Sequence, residues 1–166
     1  MAARPETYRA PMRSRLDEVD PALAVERGLT SGLVGMGGRL PRAPVSRSDA
    51  LRLMDTTYDE RTARRLERFM DVPAGSHVWT RDPDGALRRG VVDGPWSYDG
   101  SGEAVAADLV HVRACTWDDE VLAEHQAPAA VAAAFRRGGR NFQAIGALRP
   151  GRGAPDRRRA AGRRRS

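Results

Sequence analysis

Three stretches carry side chains that could meet a flat, negatively charged ligand. In Ser76–Arg81, the alternation of an extended strand puts His77, Trp79 and Arg81 on one face. Trp96 and Tyr98, two residues apart, share a face in the next extended segment. In Asp108–Trp117, Val110, Val112 and Ala114 read as core, whereas His111, Arg113, Cys115 and Trp117 point the other way. If these faces line one cleft, it offers aromatic plates, arginine and histidine together. A nucleobase stacking on an aromatic side chain gains about 1–3 kcal/mol, and arginine grips phosphate through two parallel hydrogen bonds. The plainer alternative is packing, because strand Trp and Tyr commonly bury the ring and keep a polar tip.

Other chemistries are poorly served. The sequence contains no lysine, so all 28 basic residues are arginine. That excludes a Walker A lysine, a Schiff-base lysine, a Ser-Lys dyad and a nuclease centre built on lysine. The Arg, Ala, Gly and Pro bias fits a GC-rich genome and leaves those exclusions intact. There is no G-x-S-x-G and no H-E-x-x-H. His77, His111 and His125 lack metal-ligand spacing, and the single cysteine, Cys115, excludes an intrachain disulfide and any two-cysteine zinc site. Asp118, Asp119 and Glu120 read as solvated loop charges. We therefore assign no catalytic residue, no metal ligand and no cofactor.

The net charge of +6 is unevenly spread. Residues 149–166 carry +7 and residues 1–15 carry +3, which leaves −4 on the stretch between them. Arg157, Arg158 and Arg159, followed by Arg163, Arg164 and Arg165, can neutralise phosphates without reading base sequence. DNA or RNA is the expected partner. No apolar run approaches the ~18 residues of a membrane span, and the first residues lack the apolar middle of a signal peptide, so a cytoplasmic, membrane-free protein is expected.

The elements that must position these residues divide the chain in three. Residues 1–20, interrupted by Pro5 and Pro11, read as a flexible basic arm; 21–148 as the folded domain; 149–166 as a disordered Arg-rich tail. Within the domain, Gly32–Gly38 reads as a short strand and turn, and Ser48–Met54 as a short helix. A stronger helix is predicted from Thr57, with Thr57 and Glu60 as a capping box and Ala63, Leu66 and Met70 on one face. Ser76–Arg81, the turn Asp82-Pro83-Asp84-Gly85 and Ala86–Asp93 predict a hairpin. Residues 100–107 read as a loop, Pro128–Arg137 as a helix, and Asn141–Ile145 as a short element of open type. The pattern predicts an α+β fold: a small, strongly curved sheet or partly closed barrel with a few short helices, flanked by disordered basic ends.

Pro73-Ala74-Gly75-Ser76-His77-Val78-Trp79, Arg89-Gly90-Val91-Val92-Asp93-Gly94-Pro95-Trp96-Ser97-Tyr98 and His111-Val112-Arg113-Ala114-Cys115-Thr116-Trp117 occur in that order. Together with Gly32-Leu33-Val34-Gly35-Met36-Gly37 upstream, this resembles the N-terminal module of Mrr-type restriction systems, which is similar to EVE and PUA-like domains. The resemblance spans roughly residues 25–146. It implies a PUA-like barrel that recognises nucleic acid, in some relatives through a modified, flipped base held in an aromatic pocket. Trp96, Tyr98, His111 and Arg113 fall in the matched strands. Two positions depart: Gly38 stands where the family often has Trp, and Ser76 where an acidic residue follows the P-G pair. No nuclease domain follows residue 148 in this sequence. The expectation is a non-catalytic nucleic-acid-binding module, a reader of modified bases in a defence or prophage setting, with Trp79, Arg81, Trp96, Tyr98, His111, Arg113, Trp117, Arg157, Arg158 and Arg159 as contacts. A nuclease or another protein would be a further partner. The alternative is a phage-related interaction or assembly subunit without nucleic-acid specificity.

Overall fold

Local signals explain where the helices begin. Asp20 accepts the backbone N–H of Ala22 at 2.9 Å, and Pro21 opens α1 (Pro21–Ser31), which stops at Gly32 with φ of 66°. Ser46 caps α2 (Arg47–Thr57), and Asp59 caps α3 (Glu60–Asp71) by accepting from Thr62 N at 2.6 Å. The expected Thr57–Glu60 capping box is thereby corrected: α2 runs on through Thr57, and the chain restarts at Asp59, a stronger cap than threonine. Helix α3 buries Ala63, Leu66, Phe69 and Met70, the expected stripe. The computed structural model describes residues 4–139 and 142–146.

The strands are β1 (Thr7–Arg9), β2 (Leu33–Met36), β3 (His77–Arg81), β4 (Leu87–Val92), β5 (Ser97–Tyr98), β6 (His111–Trp117) and β7 (Gln143–Ala144). They lie in the order β2-β6-β4-β3-β1-β7, and the sheet curls strongly into a half-barrel. Strand β6 is its hub. It pairs with β2 along residues 111–114, and its other edge takes β5 at His111 and Val112, then β4 at Cys115–Trp117. The break at Gly94-Pro95 lets one continuous stretch supply both β4 and β5 to that edge. Gly35 makes the close approach of β2 possible: a Cβ there would lie 2.1 Å from the His111 carbonyl oxygen.

Two more α-helices, α4 (Gly102–Ala107) and α5 (Ala129–Arg137), and the single 3-10 turn Glu124–Gln126 complete the described elements. The main core gathers Met12, Val34, Met54, Leu66, Phe69, Val78, Val92 and Leu109; Phe69 and Phe142 lie with ring centres 4.4 Å apart. A second cluster under α5 joins Trp79, Leu87, Val131, Phe135 and Ile145. Each such large apolar side chain, fully buried, stabilises by about 1.5–3 kcal/mol. Among the described residues, no helix is long and apolar enough to cross a membrane.

Two further expectations are corrected. The flexible arm of residues 1–20 contains β1, which pairs in parallel with β3 (Thr7↔His77, Arg9↔Trp79) and antiparallel with β7. Ala10 and Met12 just after it are buried, so this segment is a structural part of the sheet. The loop expected at 100–107 contains α4, whose N-cap Ser101 accepts from Ala104 N. The tail, with the expected contacts Arg157, Arg158 and Arg159, lies outside the described residues.

Candidate functional site

The polar face of β6 turns inward. His111, Arg113 and Cys115 are buried, Trp117 is half-buried, and Ala114, expected in the core, is exposed together with Thr116. Val110 and Val112 are buried as expected, so both faces are covered at the start of this strand. The physical reason for the inversion is that each polar group finds a partner inside the half-barrel, so burying it carries no desolvation penalty left unmet.

His111 is fully buried at 0% exposure. The indole Nε1–H of Trp96 donates to His111 Nδ1 at 3.2 Å, which leaves the proton on Nε2, where it donates to the Gly38 carbonyl at 2.8 Å. The Trp96 ring stacks on the imidazole at 6.1 Å, and Tyr98 meets it edge-on at 5.4 Å. Tyr98 Oη accepts the N–H of Leu40 at 3.1 Å. Burial lowers the His111 pKa from 6.5 to about 4, opposed by the bond to Gly38. Arg113 donates from Nε to Gly94 O and from Nη1 to Phe69 O and Val72 O. Trp117 donates to the carbonyls of Gly28 and Leu33. Of the five expected contacts from β5, β6 and the residue before β5, none lines any of the five principal cavities; the polar groups form an internal lattice instead.

Cys115 shares this interior. Burial, and then the charge of Asp118, push its thiol up to about 12. A thiol so protonated is a poor nucleophile. The native protein is expected to react with a thiol-specific reagent at neutral pH at least tenfold more slowly than the urea-unfolded chain. Equal rates would contradict this placement. Among the described residues, no group of three or more His, Cys, Asp or Glu could hold a metal ion.

Trp79 and Arg81 lead elsewhere. Trp79 is buried under α5, and the guanidinium carbon of Arg81 lies 5.5 Å from the ring centre of Phe135. Arg9, from β1, lies 4.9 Å from the same centre. Arg9 is only 7% exposed, and its Nη1 donates to Gly139 O at 2.7 Å. The Nε atoms of Arg9 and Arg81 are both buried without a hydrogen-bond partner. Burial, and then the adjacent positive charge of Arg81, hold Arg9 below the usual guanidinium pKa. Among the described residues, no carboxylate lies within ion-pair distance of Arg9, Arg13 or Arg81.

These arginines line a cavity of about 330 Å³ with Asp20, Asp82 and Phe135. Arg9 also lines a second cavity, of about 480 Å³, with Arg137, Gln143 and Gly146. Gly146 is the last described residue before the arginine-rich segment. A third cavity, about 330 Å³, shares Arg13 with the first and is walled by Tyr58, Gly37, Gly38, Arg15 and Asp108. Asp108 is buried there and accepts from Ser14 Oγ at 2.7 Å and Gly38 N at 3.3 Å. Of the seven sequence-predicted contacts among the described residues, only Arg81 faces one of these arginine-lined cavities. Arg9, Arg13 and Phe135 were not anticipated. The signal that could have found Arg9 is the β-prone run Thr7-Tyr8-Arg9 held between Pro5 and Pro11. Compared with models of protein families, with curated proteins and with solved structures, the chain matches none.

Proposed function

We propose that this chain is a non-catalytic nucleic-acid-binding module of the kind found at the N-terminus of Mrr-type restriction systems, similar to EVE and PUA-like domains, and that it holds the phosphate backbone at the arginine-lined cavities beside β1. One observation carries the reading: Arg9, Arg13 and Arg81 line a cavity with, among the described residues, no carboxylate in ion-pair contact, and arginine there has phosphate as its natural counter-ion. The surroundings support it. The second cavity is lined by Gly146, from which the chain continues into the segment bearing Arg157, Arg158 and Arg159. The matched motifs form β3, β4 with β5, and β6, neighbours in one curled sheet, with the upstream Gly-rich motif in β2 beside β6.

The resemblance also suggested a base held among Trp96, Tyr98 and His111. Those rings are spent on each other and on Gly38 and Leu40, so a base contact falls instead to the cavity between Tyr58 and Asp108. A side chain at position 38 is strained: φ is +120°, and a Cβ would press on Met54 Cε at 2.6 Å. Any reading of a modified base in a defence or prophage setting therefore proceeds without the family's tryptophan wall.

Fluorescence anisotropy of the full chain with labelled single-stranded DNA, duplex DNA and RNA tests the reading. Wild type is expected to bind at 50 mM salt, and Arg81→Gln to weaken binding about tenfold and reduce the log–log salt slope by about one. Unchanged affinity and slope in the variant would remove the phosphate role of this cavity. No binding to any nucleic acid, together with a defined oligomer by light scattering, would favour an assembly subunit.

A further inference from the structure

We propose that the cavity between Arg9, Arg81 and Phe135 is a discrete site for one phosphate group, able to bind it in isolation. This deepens the nucleic-acid reading, on which it rests for its biological source. Two guanidinium groups are held over one ring, and the more buried of them, Arg9, is nine-tenths removed from solvent. Like charges that share one ring, one of them buried, repel, and the attraction of the Phe135 ring, about 0.5–2 kcal/mol, offsets this only in part. The arrangement makes physical sense with an anion between the cations.

The donor set fits a tetrahedral oxyanion. Each guanidinium presents a planar fork; Arg9 uses Nη1 on Gly139 O, and among the described residues the Arg81 fork has no hydrogen-bond or ion-pair partner. Arg13 lines the same cavity from the opposite end of the segment that follows β1. The two carboxylates in the lining are otherwise engaged. Asp20 accepts from Ala22 N at 2.9 Å as the cap of α1, and Asp82 accepts from Ala86 N at 2.9 Å in the β3–β4 turn. Neither approaches an arginine of the cavity within ion-pair distance. Three arginines and two aspartates leave the lining with one positive charge, so a singly charged phosphodiester is matched fully. The cavity, about 330 Å³, has room for a phosphate with an attached sugar. The Cα of Arg9 pairs with that of Trp79, and Arg81 follows two residues later on the same strand, so the sheet itself fixes the spacing of the two forks.

Isothermal titration of the full chain with inorganic phosphate, against chloride at matched ionic strength, tests this directly. Wild type is expected to take up one phosphate per chain and to show a phosphate-specific rise in thermal midpoint of about 4 °C at saturating phosphate. Arg81→Gln is expected to weaken phosphate binding at least tenfold, Arg81→Lys to weaken it by a similar factor because the fork is lost, and Arg61→Gln, at an exposed position of α3 away from these cavities, to leave it unchanged. Circular dichroism of each variant confirms that it is folded before titration. No phosphate-specific heat or shift in wild type overturns the proposal, as does full retention of binding in folded Arg81→Gln and Arg81→Lys. Competition identifies the source. If an oligonucleotide displaces phosphate with or without a 5′-phosphate, the occupant is a backbone phosphate; if only the 5′-phosphorylated form does so, it is a terminal one. If phosphate binds and no oligonucleotide competes, the anion site stands and the nucleic-acid reading fails.

Discussion

Replacing Arg113 by methionine is expected to lower the unfolding free energy by about 3–5 kcal/mol, seen as a large fall in the urea midpoint with little change in slope. The side chain is 5% exposed and makes three hydrogen bonds to carbonyls. Two of these, to Phe69 and Val72, sit at the C-terminal end of α3, where unpaired carbonyls and the helix dipole present negative charge. The third, to Gly94, fixes the break between β4 and β5. Methionine fills much of the volume but leaves those acceptors buried and unpaired, at about 1–3 kcal/mol each before relaxation. Burial holds the guanidinium below its usual pKa, as expected for a cation whose partners are dipoles. Arg113→Lys should recover only a minority of the loss, because one ammonium cannot span the positions that Nε and Nη1 reach together. A change below about 1 kcal/mol for Arg113→Met would show that this lattice is not what holds α3 to the sheet.

The same residue shows what was legible in the sequence. Elements with local signals were readable: the β3–β4 hairpin through Asp82-Pro83-Asp84-Gly85, helix α3 through its apolar stripe, and helix α5 between Pro128 and Gly138. Helix α1 also carries local marks, Asp20-Pro21 at its start and Gly32 at its end. Strand β1 carried none that identify its partner. Its parallel pairing joins residues about seventy positions apart, and no turn announces such a contact. Losing β1 to a supposed flexible arm also lost Arg9 from the candidate site. The burial of the polar face of β6 has a different cause. Alternation tells which residues share a face but not which face is inside. Polarity pointed outward for His111 and Arg113, and a strongly curled sheet with paired interior carbonyls reversed it. Arg81 lay in a readable strand, whereas its neighbours in the cavity, Arg9 and Phe135, arrive from the two ends of the described chain.

Acid should weaken the fold between pH 6.5 and about 4 through His111. Its pKa is lowered in the folded protein from 6.5 to about 4, so across that window the unfolded chain holds more protons than the native one. Stability therefore rises with pH through this range and is lost as pH falls, by about 3 kcal/mol in all. Above pH 6.5 the imidazole is neutral in both states and its contribution is complete. The structural cost of protonation is specific: Nδ1 can no longer accept from Trp96, so two donors face each other inside the half-barrel. The contact that ties Gly38 to β6 is strained with it. His77 shifts in the same direction, through burial and then the charge of Arg89, and adds to the slope. The carboxylates Asp49, Asp59 and Asp99, all held low by hydrogen bonds, lose their contributions only as pH falls below their ordinary range near 4, where the His111 effect is ending. Urea unfolding at half-unit steps from pH 7 to 4.5 separates these terms when paired with His111→Gln. The variant is expected to be less stable at pH 7 and to keep only the shallow slope of His77. A wild-type stability that is level across the window, or the full wild-type slope surviving in His111→Gln, would show that the buried imidazole does not couple the fold to protons.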